Sequence, residues 1–188
     1  KFEIGRLNPV EGFKRLLYYA VGEFGWMAGA GISVPTWFFE GDAVTMETAL
    51  TAGGRGRQPE FLMPIRTMLL SGKRYSYYKM NLGSYKNWIG NPYEYGFVFS
   101  TWLRRQHGAE LWPKVLKSTA KLSFIPYRFS WSLKRRTGMG AMKSHGAMLT
   151  ELEGHYHANT PPRESDPVRR WNRENDGFLT VYQAPCFS

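Results

Sequence analysis

Cysteine is almost missing from this chain. Cys186 is the single thiol, so no disulfide can form within the chain. One cysteine leaves the compartment open, because many secreted proteins also lack disulfides. Long apolar runs are missing too. The most apolar stretch, residues 16–39, is interrupted by Glu23 and several glycines, so there is no transmembrane segment of about 20 uncharged residues and no signal-peptide pattern. Acid is in short supply, with 15 Asp+Glu against 25 Lys+Arg and a net charge of +10. That balance suits an acidic partner (nucleic acid, an anionic membrane surface or an acidic protein), or else a solvated basic face. There is no internal repeat. Gly53-Gly54-Arg55-Gly56-Arg57 is glycine-rich, but no Gly-Lys-Ser/Thr follows, which excludes a phosphate-binding P-loop; the segment reads as a turn with two solvated arginines.

What the chain has is aromatic bulk. Phe, Trp and Tyr make up 16% of its 188 residues, and 43% are hydrophobic, which argues against a disordered body. The apolar residues fall at helical spacing. Phe13, Leu16, Leu17, Ala20, Val21 and Phe24 form one stripe over 10–24. Pro35 opens a helix over about 36–50, and residues 60–71 form a short helix with Pro64 near its start. Residues 73–90 are rich in Tyr and Lys and read as irregular. Asn91-Pro92 with Glu94 predicts an N-cap and capping box, heading a helix that buries Tyr95, Val98, Phe99, Trp102 and Leu103 and ends at His107-Gly108. Helices over about 109–121 and 127–137 follow, then one over 140–157 with Met142, His145, Leu149, Leu152 and Tyr156 on a stripe. The expected fold is all-α, about six helices over 1–157. Residues 158–188 then form a linker (NTPPRESDP, 159–167) and an extended tail whose FLTVYQAP (178–185) is β-prone.

The chemistry concentrates in residues 35–48, PTWFFEGDAVTMET. Glu40 follows three large aromatics, where a carboxylate needs a partner. Glu47, seven residues on, shares its helix face two turns away, with Ala43 and Val44 between. A small residue one turn after an acid leaves room for an ion or a neighbouring helix. The bland reading is two solvated acids, or acids paired with the abundant Arg and Lys.

The segment W-F-F-E-G-D-A-V-x-x-E-T resembles the third-ligand helix of gluzincin zinc metallopeptidases. Pro92-Tyr93-Glu94-Tyr95-Gly96 resembles the Y-x-x-G helix head of their aminopeptidase-like members, with Tyr95 where that family commonly has Lys. With the intervening G-G-R-G-R and the later R-R-T-G, the likeness extends over roughly 35–157. It resembles an extracytoplasmic bacterial subgroup, periplasmic or outer-membrane associated, in which a β-propeller follows the peptidase domain. The resemblance implies that the chain is the helical C-terminal part of a zincin-like domain. Glu40 would be a zinc ligand, Glu47 an acid that orients a ligand histidine, and Tyr93 the hydroxyl that stabilises the oxyanion of a peptide or protein substrate.

The family's H-E-x-x-H motif is absent, since none of His107, His145, His155 and His157 precedes a Glu. Two accounts stay open. Either the motif helix lies upstream of Lys1, or the site has decayed and the domain serves as a scaffold or interaction subunit of a bacterial envelope complex. His155 and His157 stand two apart on a helix and point in different directions, so they cannot chelate one ion together. His107 reads as a helix-end cation and His145 as a satisfied core histidine. Lys134-Arg135-Arg136, Arg104-Arg105 and Arg169-Arg170 define the weaker alternative, a basic nucleic-acid-binding protein.

Overall fold

Pro35 stands in an extended conformation just ahead of the first long helix, so it acts as the N-cap rather than a first-turn residue. From there the described residues run through seven α-helices: α1 (Thr36–Leu50), α2 (Pro59–Leu70), α3 (Tyr77–Leu82), α4 (Pro92–His107), α5 (Leu111–Ala120), α6 (Arg128–Thr137) and α7 (Ala141–Asn159). A 3-10 turn, Arg55–Arg57, lies between α1 and α2. The computed structural model describes Tyr19, Gly22, residues 33–87, residues 89–120, Ile125 and residues 127–160. Among these there is no strand, and the fold is all-α. The stripe over 10–24, apart from the helical Tyr19 and Gly22, and the β-prone tail at 178–185 fall outside the described residues. No helix among them is long and apolar enough to cross a membrane.

The core is an aromatic stack built from four helices. Trp37 and Phe38 of α1, Phe99 of α4, Trp112 of α5 and Phe129 of α6 are all buried. The Trp37 and Phe99 centroids lie 4.7 Å apart, and Trp112 stacks on Phe129 at 6.1 Å and 15°. Each buried indole N–H has an acceptor, as such groups require. Trp37 donates to the Tyr77 hydroxyl at 3.0 Å and Trp112 to the Ser100 carbonyl at 3.2 Å. The first of these bonds explains α3, which falls inside the stretch 73–90 expected to be irregular: six residues are too few to show a period. Ser76 caps the short helix, Gly83 at φ 89° ends it, and Tyr77 plugs into the core.

Helices α1 and α4 form the centre of the molecule. Gly41 meets Gly96 and Thr45 meets Ser100, so the partners advance in the same direction and the two helices run parallel. Their backbones touch. A Cβ on Gly41 would lie 2.1 Å from the Gly96 carbonyl carbon, and a Cβ on Gly96 would lie 1.9 Å from the Trp37 oxygen. Only glycine fits at either position. The predicted α4 face, Tyr95, Val98, Phe99, Trp102 and Leu103, is buried throughout. On α7, Met142 departs from the predicted stripe and is 58% exposed, while His145 and Leu149 are buried.

Candidate functional site

Helix α4 begins with the expected capping box. The Asn91 side-chain oxygen accepts from the backbone N–H of Tyr93 at 3.0 Å and of Glu94 at 3.1 Å, and the Glu94 carboxylate returns to the Asn91 backbone N–H at 3.4 Å. The cap fixes Tyr93 in the first turn, 37% exposed. The glycine crossing places that turn beside Glu40. The Tyr93 hydroxyl faces the Glu40 carboxylate, whose hydrogen-bonding pull and charge push the phenol pKa up; Arg55 acts in the opposite direction.

Arg55 completes the arrangement. The glycines on either side of it let the loop lie directly on the helices. A Cβ on Gly54 would sit 2.3 Å from the Thr48 Cα, and one on Gly56 would sit 2.3 Å from the Phe97 ring. Arg55 donates from Nε to Glu47 Oε2 at 2.9 Å and reaches the same oxygen from Nη2 at 2.8 Å, while its backbone N–H donates to Oε1 at 3.3 Å. The side-chain hydrogen bond from Arg55 is the chief reason the Glu47 pKa is lowered. The same guanidinium lies 5.5 Å from the Tyr93 ring centroid and 5.9 Å from that of Phe61. The four groups therefore run in a row, Glu40, Tyr93, Arg55, Glu47. Arg55 pairs with Glu47, and its charge also acts on Glu40, which faces the Tyr93 hydroxyl from a half-buried position.

Of the residues singled out in the sequence, Glu40 and Tyr93 meet across 53 positions, and Glu47 joins them through Arg55. The reading of Arg55 as merely solvated is corrected: it is the link in the cluster. Its signal was the glycine on each side, a pattern that marks close backbone approach. Arg57, the second arginine of that loop, hydrogen-bonds the Thr51 carbonyl at the end of α1. Beneath the site, Asp42 is 1% exposed with Arg104 at 4.0 Å, a second tie between α1 and α4.

No group of three or more His, Cys, Asp or Glu side chains among the described residues is arranged to hold a metal ion. Glu40 supplies one carboxylate, so the described residues do not form a zinc site by themselves. His145 is a core residue, as expected. Its Nε2 lies 2.9 Å from the Tyr75 carbonyl oxygen, which can only accept, so Nδ1 accepts from the Tyr95 hydroxyl at 3.1 Å. His107 stands in the last turn of α4, ahead of Gly108 at φ 86°. Near the end of α7 the acids are already engaged. Glu151 accepts from Trp102 Nε1 at 2.8 Å, from Gln106 at 3.0 Å and from Arg105, while Glu153 lies 3.6 Å from Arg74.

The basic residues divide in the same way. Arg104 and Arg105 are tied to Asp42 and Glu151, whereas Lys134, Arg135 and Arg136 are exposed along α6. Arg169-Arg170 lies outside the described residues. Comparisons with protein-family models, curated proteins and solved structures returned no match.

Proposed function

We propose that this chain is the helical C-terminal part of a gluzincin-like peptidase domain and contributes one carboxylate ligand, Glu40, to a zinc site. The two histidine ligands and the general base would come from an H-E-x-x-H helix outside this sequence. When bound, zinc would supply an activated water for hydrolysis of a peptide or protein substrate. Tyr93 would offer its hydroxyl to the developing oxyanion. One observation supports this reading above the others: the residues that the resemblance assigns to one site, Glu40 and Tyr93, face each other from two helices, with Glu47 joined to them through Arg55. Zinc analysis of the native full-length protein tests it. We expect one zinc per chain, lost in Glu40→Gln; a metal-free protein would refute the reading.

The second reading is a non-catalytic interaction subunit of an envelope assembly. It draws on the exposed aromatics of the α6 region, Tyr127 at 68% and Trp131 at 57%, beside exposed Lys134 and Arg135. Aromatic and arginine-bearing surfaces suit protein contacts. Nucleic-acid binding is weaker, because Arg104 and Arg105 are engaged by Asp42 and Glu151.

A further inference from the structure

The resemblance gives Glu47 the task of orienting a histidine, yet in this fold both Glu47 oxygens are taken by a single residue. Arg55 reaches Oε2 with two of its side-chain N–H groups and Oε1 with its own backbone N–H. An arginine fork held this way loses most of its rotational freedom. Its backbone is fixed as well. Gly54 and Gly56 press the loop onto Thr48 and Phe97, the Gly56 N–H donates to the Thr48 hydroxyl at 3.0 Å, and the turn closes with Arg57 N–H to the Gly54 carbonyl at 3.0 Å. Over this immobilised guanidinium lies the Tyr93 ring, which has no aromatic ring partner among the described residues. An exposed tyrosine without such a contact samples other rotamers.

We propose that Arg55 is the positioning residue of this site: anchored on Glu47, its guanidinium holds the Tyr93 ring so that the hydroxyl meets Glu40. Glu47 then acts through Arg55 rather than on a histidine. What the site does with Tyr93 rests on the peptidase reading; that Arg55 holds it there does not.

The test is proton NMR of the full chain, with the Tyr93 ring signals identified by their loss in Tyr93→Phe. In the native protein, cross-relaxation links the Arg55 side chain to the Tyr93 ring. Arg55→Gln, Arg55→Lys and Glu47→Gln each abolish or disturb that arrangement, so the Tyr93 signals move toward those of free tyrosine, while Arg57→Gln leaves them in place. Lysine keeps the charge but lacks the planar fork, so failure of Arg55→Lys to restore the native shifts assigns the effect to guanidinium geometry. Unchanged Tyr93 signals in a folded Arg55→Gln or Glu47→Gln variant overturn the proposal, as does native behaviour of Arg55→Lys. Zinc content and peptide cleavage by the full-length protein separate this from the peptidase reading. With no zinc, that reading falls and the NMR result still judges Arg55. With zinc and cleavage, Arg55→Lys lowers kcat by about tenfold to a hundredfold with KM nearly unchanged, and an effect on KM alone counts against positioning.

Discussion

Replacing Gly96 or Gly41 by alanine puts one methyl group where two helix backbones touch. On Gly96 the new Cβ would stand 1.9 Å from the Trp37 carbonyl oxygen and 2.9 Å from Gly41; ordinary contact begins near 3.4 Å, so the helices must separate by about 1.5 Å. Backbone atoms cannot rotate away as a side chain can. The strain falls at or above the top of the usual overpacking range, about 3–5 kcal/mol. Separation on that scale also opens the stack of Trp37, Phe38 and Phe99, where a gap of even about 0.5–1 Å forfeits a quarter to a half of each dispersion contact. Against this, alanine is the better helix former by about 1 kcal/mol. The net loss is about 2–4 kcal/mol for either variant, or about 4–16 °C in Tm for a chain of this size. The control lies in the same protein. Gly146 and Gly154 sit within α7, where an added methyl group would meet nothing within 4 Å, so Gly146→Ala and Gly154→Ala should stabilise by about 0.4–1 kcal/mol. Urea unfolding of all four variants measures the contrast. If Gly41→Ala and Gly96→Ala fall within about 0.5 kcal/mol of the parent, or behave like the α7 pair, the crossing is not the close contact described.

Two further outcomes follow from the same structure. Asn91→Ala removes the cap of α4, and urea unfolding should show a loss of about 1 kcal/mol, with Glu94 deprived of its partner amide. The His145 pKa is lowered from 6.5, first by burial and then by the charge of Arg74, against the pull of the Tyr75 carbonyl; Tyr95 and Tyr77 are its other close neighbours. The unfolded chain therefore takes up the proton first. Stability is complete above pH 6.5 and falls as the pH drops from there toward the folded value, and His145→Gln should flatten that part of the stability-against-pH curve.

The helices are legible in the sequence wherever an apolar stripe runs for three turns or more, as in α4 and α7, or where a cap carries its own signal, as at Asn91. The short α3 is not, because its reason for existing is the bond from the Trp37 indole to the Tyr77 hydroxyl, 40 residues away in sequence. At the site, Glu40 stands out as an acid among aromatics and Tyr93 through its helix head. Arg55 does not, because an arginine between glycines looks like solvated loop until the surface that those glycines rest on is known. Gly41 and Gly96 carry the most information, since a glycine inside an amphipathic helix stretch needs a packing reason, and here each is the reason for the other.

The parallel course of α1 and α4 also bears on how the molecule folds. Parallel neighbours cannot be joined by a tight turn, and Glu40 and Tyr93 close a loop of some 50 residues, an entropic demand of about 3.5 kcal/mol before any contact rewards it. The α5–α6 pair, adjacent in sequence, faces a smaller demand and can form early. The Glu40–Tyr93 pair is thus a product of global folding, absent from any partly formed intermediate that lacks the central crossing. A ligand that engages both residues would bind only the complete structure, and its binding energy would be felt as stability by the helical body as a whole.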